Sequence, residues 1–344
     1  MKIGLVGYKG SGKSTVFQWL TGVRADPALG HTAQSAMAVV PDARIEPLSQ
    51  IFHSKKATPA ALEIVDTPGL SRTHEGNAAR LAQIREAGCL VLVVAAYDGS
   101  EPASDLTTFS EDLLLADMEI VASRIGRVEE TLKKPVPRPE REALIHEEQT
   151  LKIVLKALEA GQLLQPGEMT EEQLKVTRPF RLMSEKRRMI LVNTSEDDPN
   201  PQRFLGAIPE GIPATAFPAR LELELAEMTP EDRAEFEKEM GIGGTDRERV
   251  IHQLLEGSGQ ITYFTGSDKE VRAWLLPKGG SALDAAAAIH TDLARGFIRA
   301  EVIASDDLIA AGSEREAKAK HLVRQEPKDY VVKDEDVLLI RFSV

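Results

Sequence analysis

Apolar residues recur along the chain in three rhythms, and each predicts a different part of the fold. Short continuous runs come first: Lys2 to Val6, Ala61 to Leu70 up to its Asp66, Cys89 to Asp98, and Arg188 to Asn193. Brief runs that are apolar on both faces suit buried strands of a parallel sheet covered by helices. A second rhythm follows the third run. Leu114, Met118, Val121, Ile125, Val128 and Leu132 alternate at spacings of four and three, and Leu144, Leu151, Leu155 and Leu158 make another stripe. Each stripe is one apolar face of a long helix. Between them KKPVPRPER holds Pro135, Pro137 and Pro139. No helix interior accepts these, so the chain turns there and the two helices predict an antiparallel coiled-coil arm. From about Gln260 the rhythm changes again, to short strands (ITYFTG, EVRAWLL, FIRAEVI, VLLIRFSV) around an alanine-rich helix from Ser281 to Arg295, with Ala285 to Ala288 as its close-packing face. That order suits a small β-grasp fold.

Composition narrows the picture. A chain of 344 residues with 42% hydrophobic content is long enough for two or three packed domains. The only cysteine, Cys89, heads an apolar run, so no disulfide forms within the chain and the thiol reads as core. No apolar stretch approaches the roughly 18 residues a membrane span needs, and the run at Met1 to Gly7 is too short for a signal core. A cytoplasmic, non-membrane protein is expected, with a monomer as the simplest state. The net charge of -12 opposes general attraction to nucleic acid or anionic lipid. Any such contact needs a local basic patch, and Lys133, Lys134, Arg138 and Arg141 at the predicted turn form one. They can meet RNA phosphate or simply be solvated; no aromatic accompanies them to stack a base.

The N-terminal run opens onto GYKGSGKS, a GxxxxGKS loop between a strand and a helical segment. Gly7, Gly10 and Gly12 let the backbone curl around an anion, so that amides from Gly10 through Ser11 to Thr15 point inward at a helix start. Lys13 supplies a point charge for the outer phosphates, and Ser14 a hydroxyl for magnesium. Asp66, Thr67, Pro68 and Gly69 read as DxxG after a strand: the carboxylate holds the metal's water shell and the Gly69 amide senses the terminal phosphate. Leu70 follows, where many small GTPases place a water-orienting glutamine. At the end of the Arg188 run stand Asn193, Thr194, Ser195 and Glu196, where NKxD would read guanine. The lysine is absent and the acid is one methylene longer, which leaves adenine and guanine both open on chemistry alone.

These motifs together resemble the Obg-like ATPase family, also called YchF, which carries N-x-x-E in place of NKxD. ITYFTGSDKEVRAW, AAAAIHTDLARGFIRAEVI and KDYVVKDEDVLLIRF are similar to that family's terminal TGS domain, and IREA, VPDAR and TPEDRAEFEKEMG extend the similarity over the whole chain. The resemblance implies an α/β, mostly parallel, Ras-like P-loop domain formed by residues 1–105 and 181–258, an inserted helical arm at 106–180, and a β-grasp TGS domain at 259–344. It further implies an ATP-binding switch that hydrolyses ATP slowly with Mg2+, its base read by Asn193, Thr194 and Glu196. Ribosome or RNA would be its partner, met by the arm tip and the TGS domain. The alternatives are a GTPase of the same fold and a nucleotide-gated binding module with negligible turnover.

Departures from the family pattern fall at the switches. Gly10 stands where the family has an asparagine linked to potassium coordination. The segment SRTHEGNAARL and the loop DGSEPAS are short, and no histidine lies between Tyr97 and Asp105 to assist hydrolysis. His74 is the nearest substitute, with a solvated loop histidine as the plain alternative. Thr32 can serve as the family's magnesium-reaching threonine if a small deletion is allowed. His290 reads as structural.

Overall fold

The computed structural model describes residues 1–97, 99–161, 169–198, 200–240, 245 and 247–343. The chain opens with β1 (Lys2–Val6), α1 (Lys13–Thr21), β2 (Gln34–Val39), α2 (Ile45–Ile51) and a two-residue β3 (Ala57–Thr58). β4 (Ala61–Asp66), α3 (Asn77–Arg85) and β5 (Cys89–Ala96) lead into the long α4 (Pro102–Leu132), its partner α5 (Arg138–Glu159) and a short α6 (Glu171–Thr177). Next come β6 (Arg187–Thr194), β7 (Ala214–Phe217), α7 (Ala219–Ala226), α8 (Pro230–Met240) and α9 (Arg247–Gly257). The remainder is β8 (Gln260–Gly266), β9 (Val271–Pro277), α10 (Ala282–Ile289), α11 (Thr291–Arg295), β10 (Phe297–Ala304), α12 (Ser305–Ala311), α13 (Glu314–Ala319), β11 (Arg324–Glu326) and β12 (Asp336–Phe342). Two expected strand ends, Asp98 and Val344, lie outside the described residues. Two compact units emerge, Met1–Ala36 with Glu63–Thr245 and Met37–Leu62 with Asp246–Val344.

In the first unit the sheet runs β2-β4-β1-β5-β6-β7, and β1 pairs in parallel with β4 and β5. β5 pairs in parallel with β6 from Cys89↔Arg187 to Ala96↔Thr194. Both strands are buried nearly end to end, as strands covered on two faces must be. Cys89 is 2% exposed, and burial pushes its thiol up to about 11, so it is core. The carboxyl ends of β1, β4 and β6 bring Gly7, Asp66 and Asn193 to one edge, where ligands of such sheets bind.

The arm grows out of this unit without a break. α4 has 31 residues, about 46 Å at 1.5 Å per residue. Leu106, Phe109 and Leu113 on its first turns belong to the same core as Val6, Leu90 and Val192, while Val121 and Ile125 farther along pack on Leu151, Val154 and Leu158. A boundary at residue 106 therefore falls inside a helix that serves both bodies. Arg124 makes a two-point ion pair with Glu147 across the arm, at 2.7 and 2.9 Å. At the tip, Lys133 meets Glu130, Arg138 meets Glu142, and Arg141 donates to the Leu132 carbonyl.

Where the arm meets its domain, polar groups replace the apolar seam. Asp117, fully buried on α4, accepts from Arg85 Nη1 at 2.6 Å and from the Ser184 amide at 2.8 Å. Lys186 Nζ donates to the carbonyls of Arg85 and Ala87. Burial lowers the Lys186 pKa to about 8, reinforced by Arg85 and opposed by Asp117. Such a lysine binds fewer protons folded than unfolded between about pH 8 and its ordinary value near 10.4, so its contribution to stability rises with pH across that window. In denaturant unfolding at about pH 7 and about pH 10, wild type should gain relative to Lys186→Met at the higher pH. A difference that does not move with pH would refute the burial assignment.

The second unit's sheet runs β11-β10-β12-β8-β9-β3. β8 and β9 form an antiparallel hairpin, β12 lies parallel to β8, and β10 antiparallel to β12. α10 covers the sheet with Ala282, Ala285 and Ala286, all fully buried, while Ala287 and Ala288 face solvent. This revises the expected Ala285 to Ala288 face, because four consecutive helix residues point around the axis and only the 282, 285, 286 set shares a side. The helix expected through Arg295 breaks at His290, whose extended backbone (φ -165) starts α11 and whose Nδ1 accepts from the Asp292 amide at 3.2 Å. This unit also takes in α9 and residues 37–62, which a division at 259 assigns to the nucleotide domain. Arg44 shows why. Its guanidinium holds Asp42 at two points, lies 2.9 Å from Glu335 and sits 5.0 Å over the Phe264 ring. β3 then adds to the sheet edge through Ala57↔Val271.

Candidate nucleotide site

β1 delivers the chain into a loop that only glycine can follow. Gly7, Gly10 and Gly12 have φ of 144, 83 and 93. A Cβ on Gly7 would lie 2.4 Å from the Val93 carbonyl, and one on Gly12 2.1 Å from Asn193 Nδ2. α1 starts at once on Gly12 with no side-chain cap, so the amides of Lys13, Ser14 and Thr15 have no intrahelical acceptor. Ser11 is buried and its hydroxyl has no partner among the described residues.

Lys13, 6% exposed, folds back so that Nζ donates to the Tyr8 carbonyl at 2.8 Å. Burial lowers its pKa to about 8, with Asp66 pulling the other way. Ser14 Oγ donates to Asp66 Oδ2 at 2.6 Å. Burial raises the Asp66 pKa against the Ser14 hydrogen bond and the Lys13 charge, and its buried Oδ1 has no partner among the described residues. A hydroxyl and a carboxylate with one oxygen unspent form an all-oxygen donor set of the kind a hard divalent cation takes. The residues present fit magnesium.

Gly69 comes so close to the phosphate loop that a Cβ would lie 2.8 Å from Lys13 Nζ and 2.8 Å from the Lys9 amide. The Leu70 amide donates to the Gly7 carbonyl at 3.0 Å, and the Lys9 amide donates to the Leu70 carbonyl at 2.9 Å. Leu70 itself is fully buried in the core. A cavity of about 300 Å³ is lined by Lys9, Gly10, Lys13, Ser14, Asp66 and Gly69 together with Asp26, Gln34 and Thr32. The Thr32 hydroxyl donates to the Leu29 carbonyl at 3.0 Å within its own turn.

At the base-reading end, Asn193 is committed to the scaffold on both sides. Its Nδ2 donates to the Ser11 carbonyl at 3.2 Å and its Oδ1 accepts from the Ala219 amide at 3.0 Å. Thr194 is buried, and Glu196 is exposed with Arg220 3.6 Å away. His74 does not join the site. It has a positive φ of 60, and its Nδ1 lies 3.4 Å from Asp112 Oδ1 on α4 instead of lining the cavity. Asp112 also accepts from the Tyr8 hydroxyl at 2.9 Å.

Two residues beside the phosphate loop escaped motif reading. Lys9 lines the cavity, and the Tyr97 hydroxyl donates to the Gly10 carbonyl. Lys9 carried a signal, a second cation inside the loop; Tyr97, at a strand end distant in sequence, carried none.

The chain matches curated relatives over its full length. It is 33% identical over 366 residues to the "Ribosome-binding ATPase YchF" of Bacillus subtilis, with 99% of each chain covered. The chain belongs to the YchF family of Obg-like ATPases. "Obg-like ATPase 1" of Oryza sativa subsp. indica is 33% identical, with 100% of this chain and 92% of that one covered. Family models for a 50S ribosome-binding GTPase and for the YchF GTPase C-terminal region, a protein of unknown function, match residues 2–124 and 260–343. Among solved structures, the Schizosaccharomyces pombe YchF GTPase superposes with a TM-score of 0.83 at 25% identity, covering 99% of this chain and 97% of that one. The first unit is thus the nucleotide domain of a P-loop nucleoside triphosphatase. Among the described residues no helix is long and apolar enough to cross a membrane.

Proposed function

We propose that the protein is a ribosome-associated switch that binds ATP with Mg2+ and hydrolyses it slowly to ADP and phosphate. One observation carries the reading: Lys13, Ser14, Asp66 and Gly69 line a single cavity, and one Asp66 oxygen has no partner among the described residues. The free amides at the start of α1 and the Lys13 ammonium hold the outer phosphates, and Ser14 and Asp66, with Thr32 from the facing turn, hold the magnesium. Bound there, the ion neutralises phosphate charge. Gly69 senses the terminal phosphate with its amide. Leu70 brings no polar group to the attacking water, which supports low intrinsic turnover and keeps a nucleotide-gated binding module as the second reading. Turnover measured with and without ribosomes separates the two.

Base choice rests on Glu196 together with what Asn193 has left, one amide hydrogen and one lone pair, after its bonds to Ser11 and Ala219. Relatives named as ATPases support adenine. Calorimetric titration with non-hydrolysable ATP and GTP analogues should find ATP tighter by about tenfold, about 1.4 kcal/mol. Equal affinities, or a preference for GTP, would overturn adenine selection by Glu196. The relatives' names also support a ribosomal partner, for which the exposed bases of the arm tip and the β-grasp unit are the contact surfaces. This work would lie in the cytoplasm.

A further inference from the structure

Phosphoryl transfer asks an enzyme mainly for charge and position, and a switch protein whose DxxG is followed by a buried leucine must find that charge elsewhere. The side chains near the cavity narrow the choice. Arg72 is bound to Asp105 at 2.7 Å and lies 4.9 Å over the Tyr8 ring. His74 is turned to Asp112, and Lys13 is the charge already assigned to the outer phosphates. Asp26 and Asp66, the other charged residues lining the cavity, are acids. Lys9 remains. It is exposed, it lines the cavity, and among the described residues no carboxylate lies within ion-pair distance of its ammonium.

Its backbone is held beside Gly69, the residue assigned to sense the terminal phosphate. The Lys9 amide is tied to the Leu70 carbonyl, and Gly69 is packed so closely on Lys9 that a Cβ would come within 2.9 Å of the Lys9 Cα. Next to it Gly10 has open space where its own Cβ would point, with nothing within 4 Å. Exposed and lining the cavity, the Lys9 side chain stands on the same wall as Lys13, Asp66 and Gly69. We propose that Lys9 is a catalytic residue, a cation built into the phosphate loop that stabilises the transition state of hydrolysis, so that turnover needs no monovalent cation from solution. In that step water forms a bond to the terminal phosphorus while the bond from phosphorus to the bridging oxygen breaks. The electron pair goes to the diphosphate, and the water proton ends on the released phosphate. Lys9 keeps its proton and lies against the oxygens on which charge accumulates.

This rests on the proposed hydrolysis, and the tests distinguish the two. ATP turnover of wild type should be equal in potassium and sodium buffers to within about twofold. Lys9→Met should lower kcat by about tenfold or more, well below the roughly thousandfold or greater effect of an arginine finger. Its affinity for ADP should change by less than about threefold, and Lys9→Arg should restore most of the rate. An independent readout is calorimetric binding of ADP with magnesium and aluminium fluoride, which wild type should bind and Lys9→Met should lose. Unchanged kcat and fluoride binding in Lys9→Met would overturn the assignment, as would an equal loss of ADP affinity or potassium stimulation of wild type. A wild type that binds neither ADP nor ATP would instead sink the nucleotide reading itself.

Discussion

Lys13→Ala should lose nearly all nucleotide affinity, by about a hundredfold or more. Lys13 is buried and lines the cavity, and truncating one partner of a buried charge pair costs about 2–5 kcal/mol in binding. The same substitution should do little to the nucleotide-free fold. Burial works against the charged form of Lys13, so removing it relieves desolvation while leaving the Tyr8 carbonyl without its donor, two effects of opposite sign. Calorimetry with a non-hydrolysable ATP analogue and thermal unfolding without nucleotide test both halves. Wild-type affinity in the variant would refute the phosphate site; collapse of the free protein would show that binding was lost through folding.

Asp117→Ala should destabilise the protein by about 3 kcal/mol or more. The carboxylate is fully buried and holds Arg85 and the Ser184 amide. Its removal strands a guanidinium and a backbone donor together, and breaking a buried pair on one side costs about 3–5 kcal/mol. Arg124→Ala on the arm is the comparison. Its ion pair with Glu147 is partly solvated, at 36% and 20% side-chain exposure, and its loss should cost about 1 kcal/mol or less. Urea unfolding of the two variants measures the contrast. Equal losses would mean that Asp117 is no anchor between the arm and α3.

Much of this could be read from residue order. The phosphate loop, DxxG and the two leucine stripes are local signals: a strand, a glycine turn and a helix start are dictated by neighbours a few residues away, and seven-residue periodicity sets a seam without reference to the rest of the molecule. Gly12 was legible as a loop glycine for that reason. That its missing Cβ makes room for Asn193, 181 positions later, was not.

Other features depended on contacts between distant segments. Nothing about HEG predicts that His74 turns to Asp112, because that acid lies on a helix 38 residues away and reads there as one polar position among many. Residues 37–62 contain a two-residue strand too short for any period, and its pairing with β9 together with Glu335 and Phe264 around Arg44 reveals which unit they join. By itself the sequence determined the phosphate-binding loop, the arm and the family, because their signals are periodic or compact. Tertiary structure alone decided which cations remain free at the cavity, since a lysine or arginine is spent or available only according to the carboxylates and carbonyls that folding brings within reach.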